Sequence, residues 1–290
     1  MCSSDLGFNG SNSKLNAEVS NSLTLGAVIT PRFIPGFSLT LDYYRIEIKN
    51  VINSLAAQTI INQCYDSTTG VNNPFCASIF RNPNGTFAGQ SNVQHAGTSV
   101  TLPTSGPSFI SGPFNYAKQL TSGLDIDAVY NVTFNNGIAL KLRSNVTHTF
   151  IRNNFTNIQD PAFAIRQLST LGDPSWEGNF SANLITGMFN FGYRMRYIGQ
   201  QTVAGTFEAQ NAFQGRPAQN ADQYPFIYYP TVTYHDLRVD ISPPKTHFKF
   251  YLGVNNLTDK LPPYDLLGTE NGDPFNPLGR SFYAGVELKF

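Results

Sequence analysis

The last eleven residues of the chain alternate between apolar and polar side chains without interruption. One side of this segment carries Phe282, Ala284, Val286, Leu288 and Phe290, and the residues between them are small, polar or charged. A period of two predicts a β-strand with one apolar and one hydrated face. A tilted strand of this length crosses an apolar layer about 25 Å tall, so the segment fits a strand that spans a membrane.

The same rhythm recurs in eight further segments: 22–29, 38–48, 123–134, 137–150, 176–185, 188–199, 233–242 and 246–256. Short connections and long connections alternate between them. The short ones are 30–36, 135–137, 186–187 and 242–245. The long ones are 50–115, 151–174, 200–230 and 257–279. This pattern predicts about nine strands of an all-β, antiparallel up-and-down transmembrane β-barrel with long extracellular loops at one end.

The composition supports a wall in contact with lipid. Only 13% of the residues are charged, whereas an average soluble domain has about 25%. Basic and acidic residues number 19 each, so no long-range positive field attracts nucleic acid, and we expect no nucleic-acid partner. A soluble β-sandwich also alternates, but its strands are shorter and it needs a second layer to cover so many aromatic rings.

The N-terminus shows no export signal, which an outer-membrane protein requires. We therefore expect residues 1–14 to be a non-native or disordered leader and the chain to be a C-terminal fragment. An incomplete barrel has unpaired strand edges, here near Ser22 and at the final strand, and unpaired backbone groups are costly in lipid. Expressed alone, such a fragment is expected to aggregate instead of inserting.

The longest connection contains two local predictions. The apolar spacing in 51–61 predicts a short helix. Cys64 and Cys76 then bracket a loop rich in Gly, Asn and Pro, which in an exported protein predicts a disulfide that contributes about 2–4 kcal/mol. A metal site is the alternative, and it lacks a nearby His or further Cys.

The C-terminal block resembles the signature of TonB-dependent outer-membrane receptors. The residues that carry the resemblance are Asn255, Asn256, Leu257, Asp259, Pro262, Gly279, Arg280, Phe282 and Phe290. Four further segments are similar to that family in the expected order: 25–28, 41–48, 121–130 and 197–199. The resemblance spans about 15–290, and Thr258 departs from it where the family often has an aromatic residue.

This resemblance implies that residues 15–290 are the C-terminal portion of a 22-stranded barrel whose lumen is filled by a plug domain absent here. It implies TonB-dependent uptake of a scarce nutrient: siderophore-bound iron, cobalamin or an oligosaccharide. The implied partners are outer-membrane lipid, the TonB–ExbB–ExbD complex acting through the plug, the barrel-assembly machinery acting on the C-terminal strand, and a small nutrient ligand. No cofactor, metal or catalytic residue is expected. Two alternatives remain: a complete small porin or adhesin barrel, and an outer-membrane barrel hydrolase.

Aromatic residues of the long loops are candidates for ligand contact, because rings stack on sugars and catecholates; some are as well suited to an interfacial girdle. They are Phe207, Phe213, Tyr224, Phe226, Tyr228 and Tyr264. Asp125 and Asp127 share a face and suit either an acid–base or Ca²⁺ pair, or carboxylates paired with lumen cations. His235 and Asp236 are adjacent on a strand and therefore point to opposite faces.

The polar faces of the predicted strands carry charges of both signs. They include Lys141, Arg143, Arg194, Arg196, Asp236, Arg238 and Asp240. This mixture favours a hydrated interior with compensating charges, and the alternative is a surface that binds an anionic substrate. The sequence contains no serine nucleophile motif, metal-ligand spacing or phosphate loop.

Overall fold

A computed structural model describes the following residues: 7–9, 15–54, 60–61, 64–65, 73, 75–81, 93–95, 98–100, 109–111, 113–156, 162–263 and 274–288. The chain divides into two units. The first consists of 1–21, 47–119 and 154–164, and the second consists of 22–46, 120–153 and 165–290.

The described part of the chain is built almost entirely of β-strands. Numbered along the chain, they are β1 (Gly7–Asn9), β2 (Val19–Ile29), β3 (Phe37–Ser54), β4 (Val93–His95), β5 (Thr98–Val100), β6 (Phe109–Ser111), β7 (Pro113–Thr133), β8 (Ala139–Phe155), β9 (Ile165–Arg166), β10 (Trp176–Thr186), β11 (Phe189–Ile198), β12 (Gln201–Thr202), β13 (Tyr228–Tyr229), β14 (Val232–Ile241), β15 (Phe248–Asn255) and β16 (Ser281–Leu288). A short helix, α1 (Phe207–Gln210), lies in one loop. No helix among the described residues has the length and hydropathy needed to span a membrane.

One large sheet contains nine strands in the order β16-β15-β14-β11-β10-β8-β7-β3-β2, with β9 attached to β8. The described registers from β8 to β16 are antiparallel. All nine predicted strands are therefore present, in the predicted up-and-down order. Smaller pairs are β1 with β6, β4 with β5, and β12 with β13. β1 lies inside the predicted 1–14 leader, and the domain boundary after residue 14 stays a prediction.

Four strands are at least three residues longer than the sequence predicts: β2 has 11 residues, β3 has 18, β7 has 21 and β8 has 17. The helix predicted over 51–61 is wrong for Val51–Ser54, which continue β3; residues 60–61 are helical, and 55–59 lie outside the described residues. Hydrogen bonds to residues distant in sequence explain why β3 extends through Val51–Ser54. Asn115 Nδ2 donates to Asn50 O at 2.7 Å, and Ile52 N donates to Glu18 Oε1 at 2.7 Å, so the extended backbone gains partners that a local apolar pattern does not reveal.

The sheet separates an apolar face from a polar face. Across β11 and β14, Phe191 pairs with Val239 and Tyr193 with Leu237 on the apolar face, while Arg194 and Asp236 pair on the other face. Side chains of the apolar face stay exposed, for example Leu252 at 51% and Val286 at 56%. Among the described residues no second layer covers this face.

Three of the four short connections contain a glycine at positive φ, and in the fourth Lys245 has a φ of 62°. Gly36, Gly137 and Gly187 have φ values of 84°, 80° and 55°, which side-chain-bearing residues adopt with strain. A Cβ at Gly36 would also lie against Asn131 O. The predicted short turns are therefore formed by local backbone geometry, and the long connections all emerge at the opposite strand ends.

Candidate functional site

Six charged side chains of the polar face form ion pairs with one another. Arg143 Nη2 lies 2.9 Å from Asp127 Oδ2, and Arg238 Nη2 lies 2.8 Å from Asp240 Oδ1. Lys249 Nζ is 3.5 Å from both Asp240 Oδ1 and Glu287 Oε2. These pairs match the predicted hydrated surface with compensating charges.

Asp125 and Asp127 bind protein groups on the neighbouring strand. Thr147 Oγ1 donates to Asp125 Oδ1 at 2.7 Å, and Asn145 and Arg143 both donate to Asp127. Asp127 is thus paired as a carboxylate of the polar face. No group of three or more metal-ligating side chains occurs among the described residues.

A cavity of about 210 Å³ opens on the polar face where β10, β11, β14, β15 and β16 lie side by side. Its polar lining comprises Ser181, Asn183, Arg194, Asp236, Arg238, Asn255 and Tyr283. Gly192 forms part of the floor, where a Cβ would lie 3.3 Å from Asn183 Oδ1. Amide, hydroxyl and guanidinium donors converge there, so the cavity is able to hydrogen-bond a polar solute.

Two tyrosines of the polar face occupy space left by glycines on the adjacent strand. A Cβ at Gly253 would overlap the Tyr283 ring, and a Cβ at Gly285 would overlap the Tyr251 ring. The pairs are reciprocal, because Gly253 is registered with Tyr283 and Tyr251 with Gly285. Arg238 in turn lies over the Tyr251 ring, with 4.4 Å from Cζ to the ring centroid. The sequence did not reveal these contacts, since they require the register of β15 and β16.

Residues of three long loops meet in one hydrophobic cluster near the ends of β11 and β14. Its members are Ile198, Tyr229, Val232, Tyr234 and Phe275, with Leu171 and Val203 packed against them. Backbone and side-chain hydrogen bonds link the same loops. Thr202 N donates to Ser169 O at 2.6 Å, and Gly172 N donates to Gln201 Oε1 at 2.6 Å. The loops are therefore held together by the hydrophobic cluster and by these hydrogen bonds.

A buried carboxylate holds the loop that contains α1. Glu208 is 9% exposed and accepts a hydrogen bond from Arg166 N at 2.8 Å. The Arg166 guanidinium stacks on the Phe207 ring at 4.3 Å and donates to Leu168 O at 3.0 Å. Burial lowers the pKa of Arg166, while Tyr228 and Glu208 oppose that effect. Neither Glu208 nor Arg166 is evident as a site residue from the sequence, because their contact joins two different loops.

The predicted ligand-contacting aromatics separate into two groups. Phe207 packs edge-on against Phe213 at 5.9 Å, and Tyr228 donates a hydrogen bond to Asn211 Oδ1 at 2.6 Å, so these rings support the loop itself. Tyr224 and Phe226 are each 39% exposed and present their rings to solvent. Tyr264 lies outside the described residues. A ligand role for any of these residues stays a prediction.

Residues of the predicted C-terminal signature form a hydrogen-bonded network between β15 and β16. Asn256 is 1% exposed, and its side chain both donates to Lys260 O and accepts from Lys260 N at 2.8 Å. Asp259 Oδ1 accepts from Arg280 N at 2.8 Å, and Gly279 has a φ of 67° beside it. Arg280 Nη1 donates to Leu257 O at 3.4 Å.

Three other signature residues have described positions. Asn255 is registered with Ser281, Phe282 is 77% exposed on the apolar face, and Pro262 lies in the connection after β15. Phe290 lies outside the described residues. The network gives most of the signature a structural role in holding the loop, and its status as a family signature stays a prediction.

Cys64 and Cys76 are joined by a disulfide, with their Cα atoms 4.8 Å apart. Cys64 belongs to a small buried cluster with Ile60 and Phe75. Asn73 Oδ1 accepts hydrogen bonds from Phe75 N and Cys76 N at 3.0 and 3.1 Å, which fixes the turn between the cysteines.

His235 does not act with Asp236, because the two side chains lie on opposite faces of β14. Tyr193 Oη and His235 Nδ1 are 2.7 Å apart on the apolar face, whereas Asp236 Oδ1 accepts from Asn256 N at 2.8 Å. On the same face, His235 Nε2 lies 3.2 Å from Thr233 Oγ1.

Comparison with protein families identifies the chain. A family described as "TonB dependent receptor-like, beta-barrel" matches residues 3–257. The chain belongs to the TonB-dependent receptor family. Members of this family are outer-membrane receptors and transporters, so the nine-stranded sheet is part of an antiparallel transmembrane β-barrel, with its apolar face toward lipid and its polar face toward the lumen. The match ends at residue 257, so the signature residues beyond it rest on the sequence resemblance alone.

Solved structures with the same fold come from the same family. The FrpB iron transporter of Neisseria meningitidis is 14% identical, with a TM-score of 0.55 over 98% of this chain and 33% of that one. The siderophore receptor PirA of Acinetobacter baumannii is 15% identical, with a TM-score of 0.53 over 94% and 32%. The ferric enterobactin receptor PfeA of Pseudomonas aeruginosa is 18% identical, with a TM-score of 0.52 over 95% and 32%.

This chain therefore spans about a third of the length of the solved structures that it matches. The comparison with curated proteins gave no match.

Proposed function

We propose that the chain is the C-terminal part of the barrel of an outer-membrane receptor that imports a scarce nutrient with energy delivered through TonB. The observation that carries this proposal is the family match over residues 3–257 of a chain that spans a third of its solved relatives. The missing strands and a plug domain would account for the remaining length. A plugged barrel cannot conduct by free diffusion, so uptake would need a conformational step driven from outside the barrel.

The lumen face supports passage of a polar solute. Its ion pairs keep the charge of the wall balanced, and the cavity beside Gly192 offers Asn183, Arg194 and Asn255 as hydrogen-bonding groups. Such a wall solvates a hydrophilic molecule without trapping ions of one sign. An enzymatic role finds no support in the described residues, and we propose that the chain is not an enzyme.

The loop end supports ligand capture. Tyr224 and Phe226 present rings at 39% exposure on a loop that Glu208 and the hydrophobic cluster hold in place. Exposed rings on a rigid support stack on sugars, catecholates or macrocycles. We propose a small nutrient ligand from the classes of ferric siderophores, cobalamin and oligosaccharides.

Four partners follow from this proposal: outer-membrane lipid, the nutrient ligand, the TonB–ExbB–ExbD complex, and the barrel-assembly machinery. TonB–ExbB–ExbD would act through the plug, and the assembly machinery would recognise the terminal strand. A location in the outer membrane of a Gram-negative cell, as an integral protein, is part of the same proposal.

Nutrient uptake by the complete gene product tests the function. A strain carrying the gene should accumulate one labelled ligand from the three classes, and deletion of either the gene or TonB should abolish that uptake. Uptake that persists without TonB would contradict the proposal and favour a passive porin. Sequencing upstream of residue 1 separates the same two cases, since a receptor gene encodes a plug there.

The fragment proposal has a test of its own. The 290-residue chain refolded with liposomes should aggregate, because β2 and β16 are the two outermost strands of the sheet among the residues that the structure describes, and a sheet that does not close is costly in lipid. Stable, heat-modifiable insertion of this chain would show that it closes without further strands.

A further inference from the structure

The polar cavity beside Gly192 adjoins the hydrophobic cluster of the loops. Asp236, which lines the cavity, and Tyr234 are two positions apart on β14 and share a face. Tyr234 is 5% exposed and belongs to the cluster with Phe275, and its hydroxyl accepts a hydrogen bond from Asn276 N at 2.9 Å. The loops therefore bound the cavity on its loop side, and bonds within the chain hold them there.

A guanidinium and a carboxylate lie side by side in the cavity. Arg194 on β11 is registered with Asp236 on β14, and both side chains line the cavity. Among the residues that the structure describes, the Arg194 guanidinium has no hydrogen bond or ion pair. Asp236 Oδ1 accepts from Asn256 N at 2.8 Å, which leaves Oδ2 as an acceptor. The cavity thus offers donors and an acceptor next to each other, on groups of opposite charge.

Two polar side chains of β10 add further hydrogen-bonding groups. Ser181 is registered with Arg194, and Asn183 is registered with Gly192. Neither the Ser181 hydroxyl nor the Asn183 amide bonds to another residue in the described part of the chain. Gly192 leaves the space beside Asn183 open, because a Cβ there would lie 3.3 Å from Asn183 Oδ1. A hydroxyl and an amide each donate and accept, so this side of the cavity suits ligand groups that do both.

A tyrosine ring forms the opposite side of the cavity. A Cβ at Gly253 would overlap the Tyr283 ring, so this ring lies across Gly253 and covers the backbone of β15. Tyr283 also lines the cavity, and its outer ring face is therefore turned toward the lumen. The face of an aromatic ring packs well against C–H groups. The cavity thus combines a ring face on one side with polar groups on the other.

We propose that this cavity of the lumen wall is a subsite for one neutral sugar unit of the transported ligand. Each hydroxyl of a sugar both donates and accepts hydrogen bonds, and Arg194, Asp236 and Asn183 together supply donors and acceptors for two adjacent hydroxyls. The C–H face of the sugar ring packs on Tyr283. The cavity volume of about 210 Å³ limits the subsite to a small unit of a longer ligand.

The charges of the cavity select against an anionic ligand. Asp236 lies beside Arg194, and Arg238, the other arginine of the lining, is 2.8 Å from Asp240. A phosphate or carboxylate would meet the Asp236 carboxylate as well as the Arg194 guanidinium, and an apolar ligand would leave the polar groups without partners. The inference rests on the proposed nutrient import and narrows its ligand from three classes to the oligosaccharides.

Sugar binding by the complete gene product tests the proposal. The protein is purified in mild detergent, and equilibrium dialysis measures the Kd of tritium-labelled neutral trisaccharides built of glucose, galactose, mannose or xylose units. At least one of them should bind. Arg194→Gln should raise its Kd about tenfold or more, because a charged hydrogen-bond donor is lost, and Asn183→Ala should raise it about fivefold.

The matched control is Arg196→Gln. Arg196 is also an exposed arginine on the polar face of β11, two positions nearer the loops, and it is not part of the cavity lining. Its replacement removes the same charge from the same strand, so the Kd should equal that of the wild type. An equal loss in Arg196→Gln would show a general effect of lumen charge and would overturn the proposal.

Further outcomes also decide against the subsite. Binding of none of the trisaccharides, an unchanged Kd in Arg194→Gln and Asn183→Ala, or tighter binding of a singly phosphorylated trisaccharide would each overturn it. If Arg194→Gln does not fold, judged by heat-modifiable mobility, Asn183→Ala and Ser181→Ala carry the same comparison. TonB-dependent uptake of a ferric siderophore or cobalamin without trisaccharide binding would overturn this inference alone, whereas absence of any TonB-dependent uptake would overturn the proposed function.

Discussion

The two ends of the strands are built in different ways. At the turn end, glycines at positive φ close three of the four short connections, and Phe134, Phe189, Phe191, Phe248 and Phe250 are among the lipid-facing aromatics. At the loop end, the lipid-facing rings include Tyr43, His148, Phe150, Trp176, Tyr197 and Phe282. Buried side chains such as Asn256 and Glu208 hold the connections.

The turn end is formed by interactions within a few residues, whereas the loop end is formed by interactions between residues far apart in the sequence. A turn such as Gly187 depends on the φ of one residue, and no atom lies within 4 Å of a Cβ placed there. The loop end depends on contacts between residues far apart in sequence, such as Phe275 with Tyr229.

The largest expected effect is a loss of stability, and it should be greater in the middle of the lipid-facing side than at its turn end. Leu252→Arg places a charge in the apolar band and should lower the free energy of unfolding by about 2–4 kcal/mol, whereas Phe248→Arg near the turn should lower it by about 0–1 kcal/mol. Urea titration of the complete gene product in lipid vesicles measures both. Equal losses would show that the two positions have the same membrane depth.

The second largest effect is the loss of stability when the hydrogen bonds of Asn256 at the loop end are removed, compared with the loss of one hydrogen bond at the turn end. Asn256→Ala removes both side-chain bonds to Lys260 from a buried site and should cost about 1–3 kcal/mol. Asn256→Gly tests the backbone, since it tolerates the φ of 52° but lacks the same bonds. The control Asn136→Ala loses one exposed bond to Ile138 N and should cost about 0.5 kcal/mol. A loss for Asn256→Ala no greater than the control would remove the structural role of the network.

A smaller effect isolates backbone conformation at the turn end. Gly137→Ala should cost about 1 kcal/mol because its φ is 80° while no atom lies within 4 Å of the added Cβ. Gly205→Ala at the loop end is the control, since its Cβ also meets open space and its φ is not positive. Urea midpoints of the two variants should differ in this direction, and identical midpoints would count against a conformational cause.

The smallest effect is a pH dependence at the loop end. Burial raises the pKa of Asp173 above its ordinary 3.8, against the pull of Arg152. A raised folded-state pKa stabilises the protein at pH values below 3.8 and loses that contribution as pH rises through the folded-state value. Asp173→Asn mimics the neutral carboxyl, so the variant should match wild type at low pH and become relatively more stable above that window. A difference of opposite sign in urea titrations would show that the ion pair with Arg152 outweighs burial.

Features that depend on residues close together in the chain could be predicted from the periodicity of the sequence. The nine strands, their order and the short turns follow from alternation and from glycine placement, as β16 and Gly137 show. The extension of β3 past Ile48 was not predicted, because it depends on Asn115, which is distant in sequence. The disulfide partners were evident from their spacing, whereas the Arg166–Glu208 contact was not, since it joins separate loops.

The glycine–tyrosine pairs between β15 and β16 set the register of these two strands. Sliding β16 by one residue along β15 would turn every apolar side chain inward, an error that the bilayer itself penalises. Sliding it by two in one direction would keep each face correct but bring Tyr283 opposite Tyr251, and sliding it by two in the other direction would set Gly253 opposite Gly285. In both cases the tyrosine rings lose the space that the glycines leave for them, so the reciprocal pairs disfavour slips that the bilayer would tolerate and hold β16 against β15 in one register.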